Sequence, residues 1–457
     1  VTKEPHRKEI SREEAAAEAL SLWEENHYSL RTAMGQLVKK WKISQWQIQT
    51  AIHSLVFETM RRLNTIDFVL NQVLEKSTIT ELDPLIRNTL RVATYLILYR
   101  EEVPALVTNE AVSIIKRRRN KRLAGFCNAV LRKVQQSNLE DIITASIEQG
   151  HREYEFCVPQ WLLKSIEQLL GPEEAKALLS TSLQNPSVYI RVNTLKENAK
   201  QAIPSLEKER FRCTPSPKLS EVFKLEYGNQ PVVHTTTYHQ HLIYLQSHAS
   251  ALVSRVLNPQ PHDLVLDLCA APGSKTSHLA QLMSNQGNIF AIDNMLPRVQ
   301  ELERNLSRLG VQNTHIIFSN SFQLPFREGF QVDSVLIDPP CSNTGVIQTR
   351  PEVKWTMTPN KIRRLQKVQA SLLREGVQKL APGGFAVYST CSVSLEENEQ
   401  LIRDFLASNS DFELVHAEPF LGSEAFEGMT SCQRLFPHTD DTEGFFIAKL
   451  RRKLRSK

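Results

Sequence analysis

The chain has 457 residues, enough for two or three domains that each bury a core of their own. Its 41% hydrophobic and 23% charged residues are an ordinary soluble balance; no apolar run is long enough to cross a bilayer, and the charge-rich start, Val1 to Ala15, has no signal core, so the expected compartment is the cytoplasm. A net charge of +5 is too modest to argue alone for a polyanionic partner, and seven scattered cysteines with no CxxC pair and no Cys/His ligand spacing predict neither a disulfide framework nor a metal site.

From Arg12 to Gln136 the apolar pattern is helical: Ala15, Ala19, Leu20 and Trp23 share one face, as do Ile52, Leu55, Val56 and Met60. Gly35 and Gly125 are the only glycines in this stretch, so residues 1–145 are expected to form an all-α bundle with short connections. Within it, Lys116, Arg117, Arg118, Arg119, Lys121 and Arg122 place six cations in seven positions. Cations commonly close a helix at its C-terminus, but six exceed what capping needs, and a phosphate-contacting patch is the competing reading.

Residues 146–240 read as a small α/β subdomain. Trp161 to Leu170 is helical, Pro172 opens a second helix running to Ser180, and Val188 to Val192 alternates like a strand. Residues 241–457 then alternate β-rich runs (264–268, 289–293, 316–319, 334–338, 385–390) with helical ones such as 297–309 and 360–380. That alternation predicts a Rossmann-like α/β domain with a parallel sheet, and Gly444 to Ala448 adds one more strand.

The first of these strands runs into Asp267-Leu268-Cys269-Ala270-Ala271-Pro272-Gly273-Ser274-Lys275-Thr276, with a helix expected from about Ser277. A turn of small residues here lets a ligand approach the backbone ahead of a helix N-terminus. A P-loop is excluded because Ser274 separates Gly273 from Lys275, and the dinucleotide fingerprint because Gly273 is the only glycine in the loop. A nucleotide-like ligand without a pyrophosphate remains, and S-adenosylmethionine fits. Asp293 closes the second strand, where Rossmann-type folds set a carboxylate against ribose hydroxyls, although a strand-terminal Asp is also a good turn residue.

The fourth strand stops at Asp338-Pro339-Pro340-Cys341, where paired prolines cannot continue a central strand, and the fifth stops at Thr390-Cys391-Ser392. Ligands of open α/β sheets lie beyond the carboxyl ends of the strands, so Cys341, Cys391 and Asp338 are expected together in the crevice. The other cysteines read as buried small hydrophobes, although the backbone of Cys269 still faces the ligand.

The three loops, with Glu396-Glu397-Asn398-Glu399 after the second cysteine, resemble the RNA cytosine-5 methyltransferase family. Upstream, residues 87–98, 107–112 and 126–132 resemble the RNA-binding domain of NusB, and the fusion is similar to bacterial 16S rRNA cytosine-5 methyltransferases over nearly the whole chain. The resemblance implies that Cys391 is the nucleophile and that Cys341 helps to resolve the covalent adduct. It also implies that S-adenosylmethionine contacts Cys269 to Lys275, Asp293 and Asp338, with Asp338 also holding the cytosine edge, and that 16S rRNA, free or in a partly assembled small subunit, is the partner. Carbon 5 of a pyrimidine is a poor nucleophile until a thiolate adds to carbon 6, which is why a thiol is needed.

The chain departs from the family pattern at three points. Asn320 stands where an Asp near the adenine is usual, Ser274 where Gly is common, and Glu443 where the closing motif has Asp. None removes a reacting group. A DNA cytosine-5 methyltransferase, which would attack with Cys341, is the rival enzyme; a silent RNA-binding factor is the rival of another class, and the presence of both thiols argues against it.

Overall fold

A computed structural model of the chain describes residues 10–26 and 29–454. The charged start at residues 1–9 lies outside them. The chain divides into two units, one of Val1–Leu183 with Arg350–Thr356 and one of Gln184–Thr349 with Met357–Lys457.

The first unit is helical. Arg12–Asn26, Leu30–Trp41, Trp46–Arg61, Leu63–Val73, Pro84–Leu98, Pro104–Arg118 and Lys121–Val134 pack Leu20, Ile52, Leu55, Met60, Leu90, Ile114 and Leu131 into one core. Side chains open several of these helices: Ser29 accepts from Thr32 N, Asp83 from Leu85 N with Pro84 in the first turn, and Asn120 from Leu123 N. Beside the core, Arg91 is paired with both Asp67 and Glu24, and Arg87 with Glu24. Helices Gln160–Leu170 and Pro172–Ser182 belong to this unit. So does the segment 350–356, whose buried Lys354 donates to the carbonyls of Arg61 (2.6 Å) and Cys157 (2.7 Å). Burial with only carbonyl partners pushes that ammonium down to about 7.

The second unit begins with a small antiparallel sheet of β1 (Val188–Val192), β2 (Arg212–Pro215), β3 (Val222–Glu226) and β4 (Ile243–Leu245), in the order β2-β3-β1-β4. Next come β5 (Leu264–Leu268), β6 (Asn288–Asp293), β7 (Thr314–Phe318), β8 (Val332–Ile337), β9 (Leu380–Thr390), β10 (Phe412–Val415), β11 (Ser423–Glu424), β12 (Gln433–Leu435) and β13 (Phe445–Arg452). They form one sheet in the order β11-β12-β13-β9-β8-β5-β6-β7, with β10 also on β13. β9, β8, β5, β6 and β7 are parallel, whereas β13 runs antiparallel to β9. Alternate residues serve opposite faces: Leu266, Val335, Ala386 and Phe446 join one core, and Val265, Leu336, Val387 and Ile447 another. Apolar residues on both faces of these strands explain why the runs read as nearly continuous hydrophobic segments.

The expected strands and helices are present within a few residues. The helix after the first loop starts at Ser274 rather than Ser277, because Gly273 takes the left-handed conformation (φ 99°) and serves as its N-cap. A Cβ on Gly273 would meet Leu302 Cδ1 at 2.7 Å. Strands β2, β3 and β4 and helix His248–Leu257 were not anticipated, since short segments carry little periodicity.

Candidate active site

β5 lies between β6 and β8, so chain connections leave it in both directions and open a crevice at its carboxyl end. The register sets Leu268 beside Ile337 and Ile337 beside Tyr388, which brings the loops after β5, β8 and β9 to one edge.

On one side of the crevice, Cys269, Asp293, Asn294, Arg298, Ser321, Phe322, Pro340, Val368 and Leu372 line an open cleft. Asp293 is buried; it accepts from Ala271 N (3.3 Å) and Met295 N (3.1 Å) and lies 3.5 Å from Arg298. A strand-end carboxylate beside apolar Phe322, Pro340 and Leu372 is a donor set that fits the ribose and adenine of S-adenosylmethionine. Asn320 Oδ1 accepts from Phe322 N (3.1 Å) and so shapes the turn that presents Phe322. Cys269 adopts φ 63°, and burial, followed by Asp293 and Asp338, pushes its thiol up to about 12, which suits packing rather than nucleophilic attack. Below the loop, Asp267 is fully buried, accepts from Thr276 Oγ1 (2.7 Å) and is raised by burial to about 7.

Lys275 belongs to the other side. Its ammonium meets Asp338 Oδ2 at 2.6 Å, and Ser389 Oγ donates to Asp338 Oδ1 at 2.8 Å. Burial opposes the charge on Lys275, but the Asp338 carboxylate outweighs it and holds the ammonium above its usual range. Arg191 of β1, fully buried, donates to Ser274 O (2.9 Å) and Ser277 Oγ (2.8 Å), and so anchors the first turn of the helix that carries Lys275.

The two thiols face each other with Cys341 Sγ 3.3 Å from Cys391 Sγ. Cys391 Sγ also donates to Asn343 Oδ1 at 3.1 Å. Cys341 is the more buried of the two; the neighbouring Cys391 thiol, then burial, push it well above the ordinary thiol range. The backbone around the pair is tight: Gly345 N donates to Cys391 O (2.9 Å) and Gly444 N to Gly345 O (2.8 Å), and a Cβ on Gly345 would lie 2.2 Å from Gly444 O. Only glycine allows that approach. Glu443, the longer carboxylate of the closing motif, accepts from Thr349 Oγ1 at 3.1 Å.

The residues Asp338, Cys341, Cys391 and Lys275 therefore converge, while Asp293 and Cys269 line the adjoining cleft. Arg298, Phe322 and Leu372 were missed by sequence reasoning because each sits at an ordinary helix or loop position with no motif around it. Among the described residues no group of three or more His, Cys, Asp or Glu side chains could hold a metal ion, and no helix is long and apolar enough to cross a membrane.

The basic segment lies in the helical unit. Arg117 pairs with Glu14 (2.6 Å), Arg118 with Glu14 (3.2 Å) and Glu18 (3.3 Å), and Arg119 with Asp83 (2.9 Å). Lys116, Lys121 and Arg122 are exposed and have no ion pair among the described residues.

A Rossmann-type sheet with this cleft and thiol pair, following a helical unit and a small antiparallel sheet, defines an S-adenosylmethionine-dependent rRNA methyltransferase with a NusB-like helical domain. Residues 254–451 match the 16S rRNA methyltransferase RsmB/F family, residues 158–232 the RsmF/B-like ferredoxin-like domain, and residues 11–136 the NusB family. The probable ribosomal RNA small subunit methyltransferase B of Synechocystis is 30% identical over 405 residues, covering 87% of this chain and 90% of that protein. Its Bacillus subtilis counterpart is 29% identical over 98% of this chain and 100% of that protein. The crystal structure of PH0851 matches with a TM-score of 0.82 at 28% identity, over 97% of this chain and 99% of that one. NSun6 from Pyrococcus horikoshii, solved with the S-adenosylmethionine analogue SFG, matches with a TM-score of 0.59 at 27% identity, over 64% of this chain and 98% of that one. The chain belongs to the 16S rRNA methyltransferase RsmB/F family.

Proposed function

We propose that this chain methylates carbon 5 of a cytosine in 16S rRNA through a covalent adduct on Cys391, with Cys341 assisting release. The observation that carries the reading is the pair of thiols 3.3 Å apart at the ends of adjacent strands β8 and β9, beside Asp338 and Lys275.

S-adenosylmethionine, when bound, supplies an electrophilic methyl group; Cys269, Ala270, Ala271, Pro272, Gly273, Ser274, Lys275, Asp293, Asn320 and Asp338 are the residues assigned to hold it. The cytosine has to leave its stack to reach the crevice. The Cys391 thiolate then forms a bond to carbon 6, Asp338 holds the cytosine edge, and Lys275 offsets the negative charge that the addition leaves on the ring. Carbon 5 takes the methyl group and afterwards loses its proton to solvent. The C5–H electron pair restores the C5=C6 double bond, the C6–Sγ bond breaks, and its electron pair returns to Cys391, to which the Cys341 thiol donates a proton.

The helical domain (1–145) and the small subdomain (146–240) hold the RNA by phosphate and shape contacts, with Lys116, Lys121 and Arg122 as the free cations of the basic segment. The substrate is 16S rRNA, deproteinised or in a partly assembled subunit, in the bacterial cytoplasm.

The test is methyl transfer from labelled S-adenosylmethionine to deproteinised 16S rRNA by the parent, Cys391→Ala and Cys341→Ala proteins, with cytosine-5 methylation read by mass spectrometry and adducts read on denaturing gels. Loss of transfer in Cys391→Ala with adduct accumulating in Cys341→Ala is the expected result. Activity that survives in Cys391→Ala and dies in Cys341→Ala would reverse the assignment of the nucleophile.

A further inference from the structure

The glutamate six positions after Cys391 has no role in the mechanism above, yet it is among the least exposed ionisable groups of the second unit. Glu397 is 0% exposed, and no basic side chain lies within salt-bridge distance of it among the described residues. Its Oε1 accepts from Ser342 N (2.8 Å) and Gln369 Nε2 (2.8 Å), and its Oε2 from Ser392 Oγ (2.5 Å). All of these partners donate, the set that an ionised carboxylate accepts. Ser342 directly follows Cys341 and Ser392 directly follows Cys391, so one carboxylate joins the two loops that carry the thiols.

The surrounding contacts reinforce the join. Ser342 Oγ lies 2.9 Å from Ser392 Oγ, and Thr344 Oγ1 lies within 3.2 Å of both hydroxyls. Next along the chain, Asn398 brackets Cys391: it accepts from Thr390 Oγ1 at 2.5 Å and donates to Ser392 O at 2.9 Å. A buried carboxylate is costly to keep without a cation, and hydrophobic residues of similar size would join two loops more cheaply. Its place beside two thiols, held only by neutral donors, points to use of its charge.

We infer that Glu397 is a positioning residue that holds the Cys341 and Cys391 loops in register and divides the labour between the two thiols. The inference deepens the reading of Cys391 as nucleophile and Cys341 as proton donor, and rests on it. The titratable groups acting on Cys341 are Cys391 from the end of β9 and Glu397 from the loop beyond it, with Tyr388 buried near Cys341, Glu397 and Asp338; Lys275, paired with Asp338, lies near Cys391. After the Cys391 contact and burial, the Glu397 charge also raises the Cys341 thiol, so Cys341 stays protonated and retains the proton it donates when Cys391 departs.

The test reads each thiol directly and needs no RNA. Iodoacetamide labelling of Cys341 and Cys391 is followed by peptide mass spectrometry from pH about 6 to about 10, in the parent, Glu397→Gln and Glu397→Asp proteins, with thermal melting and S-adenosylmethionine binding as controls of folding. Glu397→Gln keeps the shape and removes the charge, so Cys341 is expected to label about tenfold faster at a given pH, equivalent to a fall of about one pKa unit. Glu397→Asp keeps the charge, and its Cys341 is expected to label as slowly as in the parent. Parental labelling in a folded Glu397→Gln protein overturns the inference. If Glu397→Gln does not fold, Glu397→Asp decides: a tenfold gain at Cys341 with the charge intact overturns it, and slow labelling supports it. Failure of the cytosine-5 reading would appear separately, as Cys391→Ala activity on RNA, whatever the labelling pattern.

Discussion

The ionic side chains of the helical unit and those around the thiols are arranged on opposite plans. In the helical unit, Lys354 apart, the buried charges described above cancel locally: Arg91 faces Asp67 and Glu24, and Glu14 and Glu18 face Arg117 and Arg118. Such pairs fix helices against one another, and breaking one leaves an unpaired buried charge. Around the thiols, polar groups accept several directed hydrogen bonds while their charges are left less compensated. Among the described residues Glu397 has no cation partner, and Asp338 divides its oxygens between Lys275 and Ser389. Paired charges hold a shape, whereas charges held by neutral donors keep a field for chemistry.

The largest effect expected from this contrast is at Cys391. Cys391→Ala should lower methyl transfer by about 10⁴-fold with the melting temperature unchanged, and Cys341→Ala by about 10²-fold with adduct visible on denaturing gels. Equal losses in the two variants would remove the distinction between nucleophile and helper. In the adjoining cleft, Asp293→Asn keeps its shape and loses its charge, so S-adenosylmethionine affinity measured by calorimetry should fall about tenfold. An unchanged affinity would make Asp293 a turn residue only.

A structural ion cluster inside the second unit gives a pH signature. Neutral His278, fully buried, donates to Glu221 Oε1 at 2.9 Å; burial, followed by Arg191, lowers its titration to about 4, and Arg255 and His278 hold Glu221 below the usual carboxylate range against the effect of burial. The unfolded chain therefore binds more protons than the folded one from about pH 6.5 down to about 4, and stability is lost as pH falls through that window. The melting temperature should fall across it, and His278→Leu should flatten the upper part of the slope.

The smallest effect belongs to the basic segment. Replacing Lys121 and Arg122 together by alanine should lower the salt dependence of RNA binding by about one to two counterions. Arg118→Ala should instead lower the melting temperature with little change in that slope, because Arg118 already serves Glu14 and Glu18. If Arg118→Ala behaved like the pair, the distinction between paired and free cations would be lost.

Much of this could be read from the chain alone. The parallel strands carry continuous apolar runs because both faces are covered, and the strand-end motifs located Asp293, Asp338, Cys341 and Cys391 because chain breakers and small residues mark where a sheet gives way to a crevice. Helix periodicity from Arg12 to Gln136 was equally clear, since helices such as Leu30–Trp41 and Lys121–Val134 bury one stripe. What a charged residue faces was not legible. Three arginines of the basic segment are taken up by acids far away in sequence, Lys275 is drawn to Asp338 rather than to the Asp293 cleft, and Glu397 looks like any other glutamate of a polar run.

The sequence by itself thus determined the elements, the parallel core and the edge at which the reacting groups lie, because periodicity and breakers act over a few residues. Only the tertiary structure decided the 3.3 Å approach of Cys341 to Cys391, the carboxylate that joins their loops, and the membership of residues 350–356 in the helical unit. Those outcomes depend on which distant groups share a buried volume, and a buried hydrogen bond or charge leaves no local pattern in the chain that makes it.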